Sequence, residues 1–147
     1  DNSLEFEPIH RVVFGVEPQQ LLAAMEKYYP GLIHGEGKGH VLRYAWGEQQ
    51  GAVTVPNPKA QLPVGTLQRF LDDYLQQNPG RVDYIHGAQV AQDLARRKDT
   101  IAFLLPAMGK EELFPTVIHD GVLPRKTFSM GRAQDKRFYL EARRIRD

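Results

Sequence analysis

Residues 81–106 read RVDYIHGAQVAQDLARRKDTIAFLLP and place a strand, a helix and a second strand in immediate succession. If the first segment is a strand, its period-two alternation puts Asp83 and Ile85 on one face and Tyr84 and His86 on the other. The last segment is almost wholly apolar, which is typical of a strand at the centre of a sheet. One apolar helical face between them is formed by Val90, Ala91, Leu94 and Ala95. This order with short links predicts a right-handed βαβ unit.

The segments before this unit alternate between strands and helices. Residues 9–16, IHRVVFGV, are β-branched and aromatic and predict a strand. Pro18 suits the first turn of a helix, which Pro30 and Gly31 would end. The apolar face of this helix consists of Leu21, Leu22, Met25, Tyr28 and Tyr29.

A hairpin and further helices complete the prediction. Residues 41–47 and 51–55 read as two strands joined at E-Q-Q-G, and residues 66–77 as an amphipathic helix. After the βαβ unit, Glu111 opens another helix and residues 138–145 form a last strand. The sequence therefore predicts an α+β fold, with a mixed sheet of about five to six strands and three to four helices packed on it.

Composition limits the class of protein. The chain has 147 residues, a formal net charge of +1 and no cysteine, which excludes disulfides, thiolate zinc sites and a cysteine nucleophile. No apolar run approaches the roughly 18 residues of a membrane span, and no signal peptide opens the chain. We expect a single cytoplasmic domain, residues 1–147, that does not contact a membrane. Because it opens at D-N-S with no initiator methionine, we expect it to be a fragment of a longer protein.

Residues 117–131, VIHDGVLPRKTFSMG, have the composition of a binding loop. Gly121, Pro124 and Gly131 interrupt regular structure, and the polar side chains between them are concentrated. Arg125 could clamp a phosphate or carboxylate with two hydrogen bonds, and Lys126 could add a point charge. The loop therefore predicts an anion site, although adjacent Arg and Lys in a loop are usually just solvated.

Polar residues at the ends of other elements could complete such a site. His86 closes a strand, where open α/β sheets tend to place ligands, and His86 or His119 could act as acid or base. The ligand-binding candidates are His10, Arg11, Asp83, Tyr84, Arg125, Lys126 and Thr127. The alternative for each histidine is a capped or half-buried structural residue. No acidic cluster indicates a metal site, and the sequence leaves any cofactor open.

A glycine-rich stretch at residues 34–40, HGEGKGH, has two interpretations. Gly35, Gly37 and Gly39 could form a backbone nest for a phosphate. Their spacing fits neither a Walker A loop nor a dinucleotide fingerprint, and no helix follows. We therefore favour a mobile loop that leads into the hairpin. A metal site made by the two flanking histidines lacks further ligands of matching pattern.

The C-terminal part is basic. Residues 125–146 hold eight basic side chains against two acidic ones, which could attract phosphates or nucleic acid. The alternative is an edge strand protected by charge. Nucleic acid is disfavoured, because no reader motif is present and the overall charge is near neutral.

Several strings resemble one bacterial family. PIHRVV, VGTLQRFLDDYL, VDYIHG, IHDGVLPRKTFSMG and RFYLEARRI are similar to domain-of-unknown-function family 1015 over essentially the whole chain. The resemblance implies a longer protein whose upstream part carries a DGHHR-type stretch, similar to the ParB and sulfiredoxin-like superfamily of phosphotransfer and nucleotide-hydrolysing proteins. That string is absent here, and the resemblance carries over no catalytic residue.

Two functions follow as expectations. In the first, this is the C-terminal domain of a cytoplasmic bacterial enzyme and binds a phosphorylated or otherwise anionic small molecule. In the second, it is a structural or dimerisation domain that packs on its missing N-terminal ParB-like half. The sequence leaves the oligomeric state and any reaction open.

Overall fold

The computed structural model describes residues 5–109 and 128–129, which form one antiparallel sheet and three helices. The main strands are β1 (Glu5–Phe14), β2 (Ile33–His34), β3 (His40–Trp46), β4 (Gln49–Val55), β5 (Arg81–His86) and β6 (Thr100–Leu104). The helices are α1 (Pro18–Tyr28), α2 (Pro63–Gln77) and α3 (Ala88–Leu94). Two short strands, β7 (Met108–Gly109) and β8 (Phe128–Ser129), pair with the start of β1. The α+β class and the strand count are confirmed.

The sheet is antiparallel throughout its described part, so the prediction of a mixed sheet is wrong. Its strands are ordered β2-β4-β3-β6-β1-β5. β5 and β6 do not pair, because β1 lies between them and runs antiparallel to both. Val12 of β1 faces Asp83 on one side and Ala102 on the other. β6 is central, as its apolar sequence predicted, and the helix between β5 and β6 crosses over one intervening strand.

The two faces of the sheet carry different cores. Helices α1 and α2 cover one face, where a large cluster includes Val13, Leu21, Leu42, Phe70 and Phe103. Helix α3 covers the other face. The smaller cluster there consists of Val12, Ala45, Ile85, Ala91, Ala95 and Ala102. Since successive strand residues point to opposite faces, neighbours such as Val12 and Val13 belong to different cores.

Local sequence explains where the helices begin and end. The Glu17 carboxylate accepts the backbone N–H groups of Gln19 and Gln20, which caps α1 at its predicted start. Helix α2 begins at Pro63 and not at the predicted residue 66, because proline fits the first helical position. The hairpin turns at Gly47 and Glu48, slightly before the predicted E-Q-Q-G.

The glycine-rich stretch is attached to β4. Ile33 and His34 pair with Thr54 and Val53 as strand β2. The backbone N–H of Gly35 donates to the carbonyl of Ala52 (2.7 Å), and that of Gly37 donates to Thr54 Oγ1 (3.0 Å). Protein acceptors therefore use these two N–H groups, which argues against an anion nest.

No helix in the described ranges is long and apolar enough to cross a membrane. The predicted helix at Glu111 and the predicted strand at residues 138–145 lie outside the described residues.

Candidate functional site

The structure brings five predicted site residues together on neighbouring strands. In the β1–β5 register, Arg11 faces Tyr84, His10 faces Ile85 and Ile9 faces His86. The predicted alternation is confirmed, because Ile85 packs under α3 while Tyr84 contacts a residue of α2. His10 and Asp83 thus lie on the α3 face, and Arg11, Tyr84 and His86 on the α2 face.

Arg11 is fully buried and engaged with its surroundings. Its Nε donates to Gln68 Oε1 of α2 (2.9 Å), and one terminal nitrogen donates to the carbonyl of Ile9 (2.6 Å). Its guanidinium lies 5.0 Å from the Tyr84 ring centroid. Gln68 in turn donates to Asp72 (2.8 Å) and, over 3.4 Å, to the Tyr84 hydroxyl. This network joins α2 to the edge half of the sheet.

On the α3 face, the side chain of His10 in β1 binds the backbone of the residue that follows β6. Its Nδ1 accepts the N–H of Leu105 at 2.9 Å, just after β6 ends. Burial lowers the pKa of His10 to about 4, and Arg11 and His86 add to this effect. His10 is therefore neutral at pH 7.

Burial separates these residues from solvent. His10, Arg11, Asp83, Tyr84 and His86 are each at most 5% exposed. We call the five residues the buried polar cluster. Such burial is typical of groups that hold a fold together, and their role in ligand binding stays a prediction.

The remaining predicted residues, His119, Arg125, Lys126 and Thr127, lie outside the described residues. The next two residues in the chain are described. Phe128 pairs with Pro8 and Ser129 with Glu7, on the same strand as His10 and Arg11 and a few residues before them.

An open cleft lies elsewhere, between the end of α1, the loop after β4 and the first turns of α2. Its volume is about 580 Å³. The walls are formed by Tyr28, Tyr29, Pro30, Gly31, Val55, Pro56, Asn57, Pro58, Lys59, Ala60, Thr66 and Arg69. Ligand pockets of small molecules commonly measure roughly 300–1,000 Å³.

Both charged side chains that line the cleft are cationic. Lys59 and Arg69 are exposed, and neither forms an ion pair with a carboxylate in the described part of the chain. The nearby carboxylate of Asp73 accepts a hydrogen bond from the Tyr28 hydroxyl. This bond raises the pKa of Tyr28 to about 12, so the hydroxyl stays protonated. The cleft therefore combines two cationic side chains with aromatic and proline walls.

Thr66 connects the floor of the cleft to its surroundings. Its carbonyl accepts the Tyr29 hydroxyl (2.7 Å), and its side-chain oxygen lies 2.7 Å from Nδ1 of His40. Burial lowers the pKa of His40, partly offset by a backbone hydrogen bond to Gln61. These contacts fix the position of α2 relative to the end of α1 and the start of β3.

Sequence reasoning missed this cleft. The sequence places Tyr28 and Tyr29 on the apolar face of a helix and indicates no binding role for them. The signal that could have found it is a pair of short Pro-rich strings, YYPG at residues 28–31 and PNPK at 56–59, at the ends of elements.

The described residues contain no group of three or more His, Cys, Asp or Glu side chains that could hold a metal ion. No family model, curated protein or solved structure matches the chain. The similarity to domain-of-unknown-function family 1015 thus stays a prediction.

Proposed function

We propose that this domain binds a small anionic molecule, such as a phosphate ester, in the cleft beside Lys59 and Arg69. The observation that carries the proposal is that both charged residues lining a cleft of about 580 Å³ are cations. Arg69 supplies a planar fork of donors and Lys59 a mobile point charge, a combination that suits phosphate or carboxylate.

Three features of the cleft support this proposal. Lys59 is held in a loop that Pro56 and Pro58 stiffen, which reduces the conformational entropy lost on binding. Arg69 extends from α2, whose position is fixed by the Thr66 contacts. Helix α2 begins at Pro63, so the positive end of its dipole is on the side of the helix that meets the cleft.

The resemblance to the bacterial family implies that the chain is the C-terminal domain of a cytoplasmic enzyme. We propose that the anion is a substrate or effector of that enzyme. The rival function, a structural domain that packs on a missing half, would be favoured by a large exposed apolar patch. In the described part of the surface, the exposed large apolar side chains are Tyr28 and Ile33. These two residues do not make a large apolar patch.

The proposal can be tested by measuring the Tm of the domain in the presence of inorganic phosphate, phosphoserine, ATP or serine. A ligand at 100 times its dissociation constant adds about 2.7 kcal/mol to the free energy of unfolding. We expect a phosphorylated compound to raise the Tm, and the rise to disappear in Arg69→Gln and shrink in Lys59→Gln.

Two controls locate the effect. Arg97→Gln removes an exposed arginine beyond the end of α3 and should keep the full rise in Tm. Lys126→Ala tests the predicted loop at residues 117–131. A rise that survives Arg69→Gln but is lost in Lys126→Ala would move the anion site to that loop and refute the cleft.

A further inference from the structure

Tyr28 is unusual among the residues of the cleft, because it is a large aromatic side chain that remains 39% exposed. It is the last residue of α1 and lines the cleft together with Lys59 and Arg69. It also lines a neighbouring groove of about 720 Å³ between α1 and α2. The ring thus forms the wall that the two hollows share.

The Tyr28 ring is held at several points. It meets Tyr29 edge to face with centroids 4.8 Å apart, and Phe70 at 5.4 Å with an interplanar angle of 72°. Its hydroxyl donates to the Asp73 carboxylate, and the carbonyl of Arg69 lies 3.4 Å away. An exposed ring that is fixed in this way loses little entropy when a ligand covers it, which favours it as a stacking surface.

We infer that the cleft selects an anion attached to a planar aromatic ring, with the ring against Tyr28 and the anionic group at Arg69 and Lys59. This inference rests on the proposed function and adds the class of ligand. Pro30, Pro56 and Pro58 supply further apolar wall for such a ring. A non-planar hydrocarbon of equal size would fill the same space, but it could not stack face to face on the tyrosine.

The test compares phenyl phosphate with cyclohexyl phosphate and inorganic phosphate by isothermal titration calorimetry. The two esters have the same charge and similar size, and differ in the flat π face. Stacking of one ring on an aromatic side chain is worth roughly a fivefold to hundredfold gain in affinity. We therefore expect phenyl phosphate to bind at least about fivefold more tightly than cyclohexyl phosphate.

Variants separate stacking from folding. Tyr28→Phe keeps the ring and loses the bond to Asp73, so it should retain the preference for the phenyl ester. Tyr28→Leu should reduce that preference to within about twofold. Ile33→Ala, which removes the other large apolar side chain that is exposed among the described residues, should change none of the three affinities.

The outcomes distinguish this inference from the proposed function. Equal affinity of the wild type for both esters, with both lost in Arg69→Gln, overturns the aromatic preference and keeps the anion site. A preference that persists in Tyr28→Leu also overturns the inference. No binding of any phosphate, or binding unchanged in Arg69→Gln, overturns the proposed function and the inference with it.

Discussion

The buried polar cluster and the open cleft hold similar side chains in opposite environments. Arg11 is fully buried and directs its donors at Gln68 and Ile9, whereas Arg69 is exposed and pairs with no described carboxylate. A charged group that is buried with specific partners contributes to stability, and its removal leaves those partners unsatisfied. A charged group on the wall of a cleft retains its donors for a ligand. The same residue type therefore serves the fold in one region and is suited to binding in the other.

The largest expected effect is that of removing the buried arginine. Arg11→Met keeps the apolar stem but leaves Gln68 Oε1 and the Ile9 carbonyl without their donor. Because each buried acceptor left unsatisfied costs about 1–3 kcal/mol, we expect the free energy of unfolding to fall by about 2–6 kcal/mol, measured by urea denaturation. Arg43→Met, which breaks the exposed ion pair between Arg43 of β3 and Glu36, should cost less than about 1 kcal/mol. Equal losses for the two variants would contradict the comparison.

The second effect depends on pH. Because the folded pKa of His10 is about 4 and the unfolded value is 6.5, the unfolded state binds the extra proton between these two values. The contribution of His10 to the free energy of unfolding is complete above pH 6.5 and is lost as the pH falls towards 4. Each pH unit between the two pKa values corresponds to about 1.4 kcal/mol, so the free energy of unfolding falls by about 3 kcal/mol over this range.

His10→Asn isolates this loss, because its side-chain oxygen can still accept the Leu105 N–H. The variant should show a flatter fall in stability over the same pH range, measured by urea denaturation at several pH values. An NMR titration in which the His10 ring of the wild type titrates near 6.5 would refute the prediction.

An intermediate effect is expected at the link between α2 and the sheet. Gln68→Leu preserves size but removes the acceptor for Arg11 Nε and the donor to Asp72. We expect a loss of about 1–3 kcal/mol in the free energy of unfolding, as for a buried donor left unsatisfied. The exposed Gln89→Leu, which loses a hydrogen bond to Asp93 on α3, serves as the control and should change stability by less than about 0.5 kcal/mol.

The smallest effect on stability is expected in the cleft. Lys59→Gln should leave the free energy of unfolding within about 0.5 kcal/mol of the wild type, since Lys59 is exposed. The same variant should weaken the stabilisation by a bound phosphate ester. If Lys59→Gln destabilised the fold as much as Gln68→Leu does, the cleft would be a structural element like the buried polar cluster.

Sequence patterns correctly predicted the features that depend on residues close together in the sequence. The alternation of Asp83, Tyr84, Ile85 and His86 gave the correct faces of β5, and the apolar run at residues 100–105 gave the correct central strand. The insertion of β1 between β5 and β6 was not predictable in this way. Pairing partners depend on contacts between distant segments, and a strand–helix–strand pattern is the same whether or not another strand lies between.

The cleft was hidden for a related reason. Lys59 and Arg69 belong to a loop and a helix, and neither periodicity nor a motif indicates that they face one hollow. Polar residues within strands attracted the functional prediction, but the fold buried them. The predicted loop at residues 117–131 is the part of the candidate site that the described residues do not test.

The central position of β6 also governs how the chain acquires its structure during synthesis. Phe103 of β6 lies opposite both Arg11 and Tyr44, so β6 joins segments made roughly 60 to 90 residues earlier. Until β6 has left the ribosome, the β1–β5 pair and the β3–β4 hairpin have no common sheet. During that interval the facing edges of β1 and β3 are unpaired, and unpaired edges are where strands from different chains associate. Completion of the sheet therefore waits for β6, which is late in the order of synthesis.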